Sequence, residues 1–318
     1  MKQRERSIAR GLLLAACALS TGLFAACSQD AETDAYAPGG TDVEVTATIS
    51  GMVGAITRSP SGSLQSTAFA TSLGASAVAV KVDDGNGTYS DAYQYTISGG
   101  TTITAPTPKP QFPGTVLAVN VYGWYPYNGG SGTFTIAADQ TTDETYVAND
   151  IMMADVVQCS RAKSGSVWNV TEAQLQFKHV MSKIAATVTP GTGVTLKKVE
   201  IIDAYPTMTI ALSGSNVTAT GSGTLQAIKL WESTAGSTDD QITYGLFAPK
   251  SYSGGTFIKV TAVVGGKEGV VNFTASQAFA AGNVYSVSLP VNATDIGHTV
   301  EITDWTTGTA PDISLGTV

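Results

Sequence analysis

The 318 residues suffice for two domains of ordinary size or one large β-domain. Charged residues make up 13%, about half the ~25% usual in soluble globular chains, which argues against a charge-rich disordered chain, a coiled coil or a charged helical array. The formal net charge is −8, from 17 basic against 25 acidic residues with no basic run, so nucleic acid is excluded as a partner: phosphate contacts need clustered Lys or Arg.

The first segment reads as an address. Lys2, Arg4, Arg6 and Arg10 precede an apolar stretch over 11–26, and the chain turns polar at Cys27. This layout is that of a secretory signal, and Ala25-Ala26-Cys27 at its end resembles a bacterial lipoprotein signal whose cysteine is acylated. Cys17, after Leu14-Ala15-Ala16, is the rival, but it leaves too short an apolar stretch and an apolar mature start. An uncleaved membrane helix fails on length, because about 20 apolar residues are needed. With residues 1–26 removed as a signal peptide, four basic residues and one acid go, and the balance moves from −8 to −11. Cys159 then stands without a partner for a disulfide, so stability must come from hydrophobic cores. Residues 27–42, acidic and Gly/Pro-bearing, read as a flexible tether.

From residue 43 the dominant pattern is alternation, the mark of half-buried strands. Val43, Val45, Ala47 and Ile49 share one face, with Glu44, Thr46 and Thr48 on the other. Residues 77–82 and 88–97 flank Asp83-Asp84-Gly85-Asn86-Gly87, which predicts a hairpin. Further strands are expected over 116–122, 133–137, 184–189, 195–202, 207–212, 216–220, 242–247, 256–264, 268–274, 284–291 and 299–304. Many short strands separated by Gly and Pro clusters predict an all-β sandwich architecture rather than a parallel sheet. A domain boundary is expected within 160–174, dividing the body into 43–170 and 171–318. Just beyond it, Leu175 and Phe177 are odd-numbered whereas Val180, Ile184, Ala186 and Val188 are even. That change of phase requires an extra residue around His179 to Met181, in a β-bulge or a brief turn.

Candidate chemistry is sparse. The two histidines, His179 and His298, are far apart, and no HExxH, CxxC or GxSxG occurs, so neither a metal site nor a cofactor nor an enzymatic role is expected. His179 lies three residues before Ser182, opposite faces in a strand, and reads as structural. The acidic run at 83–87 lacks the EF-hand spacing and reads as a turn. Trp124, Tyr125 and Tyr127 admit two readings, a sugar-stacking platform or packed core. The arginines are more telling: the chain after residue 26 has only Arg58 and Arg161. Arg58 follows the first alternating segment and precedes Ser59-Pro60-Ser61-Gly62-Ser63, an open loop suited to proteolysis.

Four local patterns coincide in order. They are Ile56-Thr57-Arg58 after the tether; Tyr122-Gly123-Trp124-Tyr125-Pro126-Tyr127 with Ala138-Asp139-Gln140 and Asn149-Asp150-Ile151-Met152; Phe177-Lys178-His179 with Ser182-Lys183-Ile184; and Ile302-Thr303-Asp304-Trp305. Together they resemble the fimbrillin family, lipoprotein-derived subunits of type V pili. Phe24 before Ala25-Ala26-Cys27 departs from the Leu usual in such signals.

The resemblance implies two consecutive transthyretin-like β-sandwich domains, passage through the lipoprotein export machinery to the outer membrane with Cys27 acylated, and polymerisation with other pilin subunits by strand exchange at the cell surface. It implies cleavage by an Arg-specific protease between Arg58 and Ser59, loss of the strand carrying Val43, Val45, Ala47 and Ile49, and its replacement by another subunit's C-terminal strand. Here that donor corresponds to roughly 299–318, with Ile302, Trp305, Ile313 and Leu315 as its residues. Val43, Val45 and Ile49 together represent about 5–9 kcal/mol of gross burial, at ~1.5–3 kcal/mol each, comparable with a domain's whole stability. The expected role is a stalk or tip subunit serving adhesion and colonisation, its receptor unspecified. The alternative is a surface glycan-binding lipoprotein of a nutrient-uptake system, using Trp124, Tyr125 and Tyr127.

Overall fold

The computed structural model describes residues 40–49, 77–88, 91–98, 102–214, 216–302 and 306–308. Strands β1 (Val45–Ile49), β2 (Ala77–Asp83), β3 (Tyr93–Ser98), β4 (Thr102–Thr104) and β5 (Ala118–Tyr125) come first. A short β6 (Thr133–Thr135) and the single-turn helix α1 (Asp143–Val147) lead into β7 (Met152–Ser164), β8 (Val167–Thr171) and β9 (Ala173–His179). Next come β10 (Ser182–Pro190), β11 (Val194–Ala204), β12 (Thr207–Ser213), β13 (Asn216–Ser222), β14 (Gln226–Ser237) and β15 (Gln241–Phe247). The chain closes with β16 (Lys250–Ser251), β17 (Gly255–Val264), β18 (Lys267–Ala275), β19 (Ala278–Phe279), β20 (Val284–Val291), β21 (Thr299–Glu301) and β22 (Thr306–Gly308). The fold is all-β.

The first sheet runs β1-β9-β7-β5-β2-β3-β4, with β8 attached to β7. Its inner face buries Val78, Val80 and Val82 of β2, Val119 and Val121 of β5, and Leu175 and Phe177 of β9. The second half forms a four-stranded sheet, β15-β10-β20-β22, and a five-stranded one, β14-β11-β17-β18-β21. Ile184 and Val188 of β10, Leu196 and Ile201 of β11, Val260 of β17 and Leu289 of β20 lie in the core they share. Ala79, Trp124 and Met153, on the other face of the first sheet, belong to this second core too. The first sheet is therefore covered on both faces, as β5 shows: its last five residues are all buried, with no alternation in exposure.

Local chemistry explains the turns. In the β2–β3 hairpin, Asp83 Oδ1 accepts from the Gly85 amide at 2.8 Å and Asp84 Oδ1 from the Asn86 amide at 3.0 Å. These Asx contacts mimic a backbone turn and occupy the acidic run in the way a turn requires.

The expected boundary falls elsewhere in the observed pairing. Residues 160–171, read as a polar divide, form the β7–β8 hairpin, in which Ser160 faces Thr171 and Ser164 faces Val167. Residues 173–179 remain in the first sheet as β9, against both β1 and β7. Sheet membership changes at Val180-Met181, the place of the phase change, and the extra residues are a brief link rather than a bulge. By contact the described residues belong to one unit, not divided at 170.

Gly123 on β5, two strands from β9, sits beneath the side chains of Leu175 and Phe177. A Cβ there would lie 2.7 Å from Phe177 Cζ and 2.9 Å from Leu175 Cδ1. Both rows are buried, so neither side chain has room to withdraw. Gly123→Ala is expected to lower stability by about 1–3 kcal/mol, read as an earlier urea midpoint at unchanged m-value.

Candidate functional site

The N-terminal strand is seated in two different ways along its length. Residues 45–49 form β1, paired in parallel with β9 from Val45 opposite Ala173 to Ile49 opposite Phe177, and β1 is the terminal strand of its sheet. Residues 41–44 lie between two walls. On one side the Ala173 amide donates to the Glu44 carbonyl at 2.9 Å; on the other the Val43 amide donates to Pro110 O at 2.8 Å and the Phe112 amide to Thr41 O at 2.9 Å. Val43 is fully buried in the first core, and Val45 and Ala47 are half-buried against it. Glu44 stays on the polar side, held by Lys109 Nζ at 2.9 and 3.0 Å. Val43 thus carries most of the described burial on this face, more unevenly than the alternation alone implied.

Cys159 on β7 lies beneath this strand. Its side chain is fully buried, and its thiol donates to the Glu44 carbonyl at 3.5 Å. Burial pushes the thiol above its ordinary value, which suppresses the reactive thiolate.

Arg161, two residues on, is also buried. Its guanidinium donates to the Val116 and Gly114 carbonyls and to Thr41 Oγ1, flanked by the Phe112 ring at 5.0 Å and the Trp168 ring at 4.4 Å. A protease needs an extended, accessible segment, so Arg161 in the folded chain is shielded by its strand pairing and by these contacts. Arg58 and Ser59 lie outside the described residues, as do Cys27, Trp305, Ile313 and Leu315.

A second polar cluster occupies the link between the sheets. His179 Nδ1 is 2.6 Å from Asp150 Oδ1, both side chains being buried, and His179 Nε2 has no hydrogen-bond partner among the described residues. Lys183, nearly fully buried, places its ammonium 5.6 Å from the rings of Tyr146 and Tyr244. Burial pulls Lys183 down to about 8, with Asp150 opposing the shift. The hydroxyl of Ser182 donates to Ala280 O at 2.9 Å, so Ser182 and His179 serve different contacts, as their spacing predicted.

The neighbouring polar residues are fasteners as well. Gln140 donates to Leu246 O at 2.7 Å and accepts from the Leu246 amide at 2.8 Å, tying the segment before α1 to β15. Asn149 Oδ1 accepts from the Ala137 amide at 2.9 Å. Asp139, on the surface, is held down to about 2 by its hydrogen bond to Lys229.

The aromatic cluster at 124–127 does not converge. Trp124 and Tyr125 are adjacent on one strand and point to opposite faces, Trp124 into the second core and Tyr125 into the first. Trp124 Nε1 donates to Asn128 Oδ1 at 3.2 Å, and Tyr127 packs half-buried against the second core. The platform reading is corrected accordingly: two of its three rings are interior and face apart. Ile302, expected in the exported strand, is also placed differently. It is buried in the chain's own second core, its amide donating to Thr274 O at 3.1 Å, directly after β21 pairs with β18.

Among the described residues no group of three or more His, Cys, Asp or Glu is placed to hold a metal ion. The sequence reading missed the aromatic stack at one end of the second core, where Phe257 and Phe279 lie 4.4 Å apart and Tyr285 meets Phe279 edge-on at 4.7 Å. These residues come from three separated segments, and no local pattern links them.

The sequence model of the fimbrillin-like family matches residues 58–305. The chain belongs to the fimbrillin-like family. Among solved structures, it is similar to a candidate cell-adhesion protein from Bacteroides uniformis ATCC 8492, at 19% identity and a TM-score of 0.51, covering 84% of this chain and 97% of that one. A second candidate cell-adhesion protein, from Bacteroides ovatus ATCC 8483, matches at 13% identity and 0.51, covering 85% and 96%. The tip fimbrial protein Mfa3 of Porphyromonas gingivalis, with a C-terminal truncation, aligns at 12% identity and 0.44 over 84% of this chain and 99% of that one. The first two likenesses are ones of fold. No curated protein matches the sequence.

Lys183 supplies a pH test. Its folded value lies below the unfolded one, near 10.5, so between about pH 8 and 10.5 the unfolded chain binds more protons and stability rises with pH. At pH 7 the buried charge costs up to about 3 kcal/mol, at 1.36 kcal/mol per pH unit. Lys183→Met is expected to flatten the rise in stability between pH 8 and 10.5 relative to the parent, in matched denaturation curves.

Proposed function

We propose that this chain is a subunit of a cell-surface fimbria, stalk or tip, assembled by proteolysis-triggered strand exchange in the service of adhesion. One observation carries the reading: the N-terminal strand is terminal in its sheet yet seats Val43 in the first core. Removing such a strand uncovers Leu175 and Phe177 and the free edge of β9, and an open edge beside an apolar row favours another strand.

In this reading the chain is exported as a lipoprotein acylated at Cys27 and held at the outer membrane, and an Arg-specific protease cuts between Arg58 and Ser59. Shielding of Arg161 supports the choice of Arg58, since it is the other arginine beyond the signal. The donor narrows to residues 309–318, with Ile313 and Leu315 as its apolar residues, because Ile302 is seated in its own core and β22 pairs with β20. The first core receives the strand and the segment after β22 sends it. Partners are therefore other copies or sister subunits, beside a receptor whose chemistry is open.

Cys159 supplies the readout. Before cleavage, a maleimide probe is expected to modify Cys159 slowly; after cleavage at Arg58, modification should accelerate at least tenfold and slow again once polymer forms. Arg58→Ala should remain lipid-anchored and monomeric, with Cys159 protected throughout. Filaments formed by Arg58→Ala, or a Cys159 equally protected in the cleaved monomer, would overturn the reading.

A further inference from the structure

We propose that Lys109 and Gln111 form a polar clamp that sets which strand, and in which register, occupies the seat of residues 41–45, and that Asp312-Ile313-Ser314-Leu315 of a second copy is the strand it accepts. The inference rests on the strand-exchange reading and adds to it a register and a charge rule.

The clamp is visible around the resident strand. Lys109 Nζ lies 2.9 Å from Glu44 Oε1 and 3.9 Å from Asp42 Oδ2, while Gln111 Nε2 donates to Asp42 Oδ1 at 3.2 Å. Both come from the wall opposite β9, and an isolated antiparallel bridge joins Asp42 to Gln111. At this wall, then, the strand is recognised through its polar face, while its apolar face enters the core. The pattern rewarded is an acid, an apolar residue, a polar residue and an apolar residue, as in Asp42-Val43-Glu44-Val45.

Beyond β22 the chain has a single acid, Asp312, and it opens the same pattern in Asp312-Ile313-Ser314-Leu315. Superposed in that register, Asp312 takes the place of Asp42, facing Lys109 and Gln111, and Ile313 takes the fully buried slot of Val43. Leu315 replaces Val45. Pro311 falls on Thr41, where the bond made is acceptance by the carbonyl from the Phe112 amide, and proline keeps that carbonyl. The Ile313 amide meets Pro110 O as Val43 does, and the Ser314 carbonyl meets the Ala173 amide as Glu44 does. A shift by one residue would turn Ile313 and Leu315 toward the polar wall and Asp312 toward the core, so charge and burial specify one register. The other acid–apolar start nearby, Glu301-Ile302-Thr303-Asp304, places a second acid where Val45 sits, and Ile302 is already buried at home.

Charge reversal on the full chain, cut with an Arg-specific protease and followed by sedimentation of polymer, tests the clamp. Asp312→Lys and Lys109→Glu are each expected to slow polymer growth by roughly fivefold or more, and the double variant to recover most of the parent rate. Lys109→Glu also repels the resident Asp42 and Glu44, so a second arm leaves the chain unmutated: a synthetic peptide of residues 310–318 should inhibit growth at several-fold lower concentration than the same peptide carrying Asp312→Lys. If the parent polymerises while both reversals and both peptides behave alike, the clamp is overturned and strand exchange stands. If the parent, cut at Arg58, forms no polymer and binds neither peptide, strand exchange fails and the clamp with it.

Discussion

Strand β9 depends on a neighbour that arrives from far along the chain. Its residues Leu175 and Phe177 form the floor of the first core, and one flank is covered by β1, whose parallel pairing joins segments about 130 residues apart in sequence. A parallel partner cannot be supplied by a tight turn, so the sheet is completed only when the distant strand is seated. Gly123, pressed under Phe177, and Cys159, whose thiol meets the Glu44 carbonyl, are both built around that seat. The sheet is thus complete in the folded chain while one of its members is attached through hydrogen bonds to a single strand and one short wall.

The buried polar residues at 137–151 and 179–183 have a different task. Gln140 spans to Leu246 and Asn149 to Ala137, segments that share no strand pairing, while His179 bonds Asp150 just outside the β7–β9 ladder. A buried amide or carboxylate without a partner costs free energy, so these side chains penalise any arrangement in which the two cores slide past one another. Residues that carry the family resemblance in this stretch therefore fasten the fold. Family likeness here reports architecture.

The alternation of Val43, Val45 and Ala47 and the Asp-Asp-Gly-Asn-Gly turn were legible in the sequence because each is a short-range pattern with one physical solution. The phase change at His179 to Met181 was legible too, since side chains alternate strictly and a slip must occur somewhere. Strand β7 was not. Met152, Met153 and Ala154 are all buried because this part of the strand is covered on both faces, which erases the period-two signal. The polarity of 160–171 then read as a divide, although the hairpin there is polar because it projects from the sheet with one strand half-exposed. Trp124 and Tyr125 misled for a related reason: composition records two aromatic rings side by side, and only the pleat reveals that they face apart.

Scarcity of charge gives the few cations defined places. Arg161 is enclosed by carbonyls and rings, Lys183 is buried among aromatic rings, and Lys109 meets the carboxylate of the first strand. Enclosing Arg161 keeps one of the two arginines after residue 26 away from proteolysis, while its bond to Thr41 helps to hold the segment that precedes the other. In the strand-exchange reading proposed above, a protease specific for arginine would cut at Arg58 while the enclosed Arg161 holds Thr41. Cleavage after Arg58 would, in that reading, sever the strand's covalent connection and leave Thr41, Asp42 and Glu44 held by noncovalent contacts alone, from which the freed segment can leave and uncover Cys159. Release would then be a separate, noncovalent step, slowed by Lys109, Gln111 and Arg161. In that reading an incoming strand that lacks the Thr41 hydroxyl but keeps the acid and the two apolar residues would compete for the seat. The order of events, cut first and exchange second, is what such a clamp would impose.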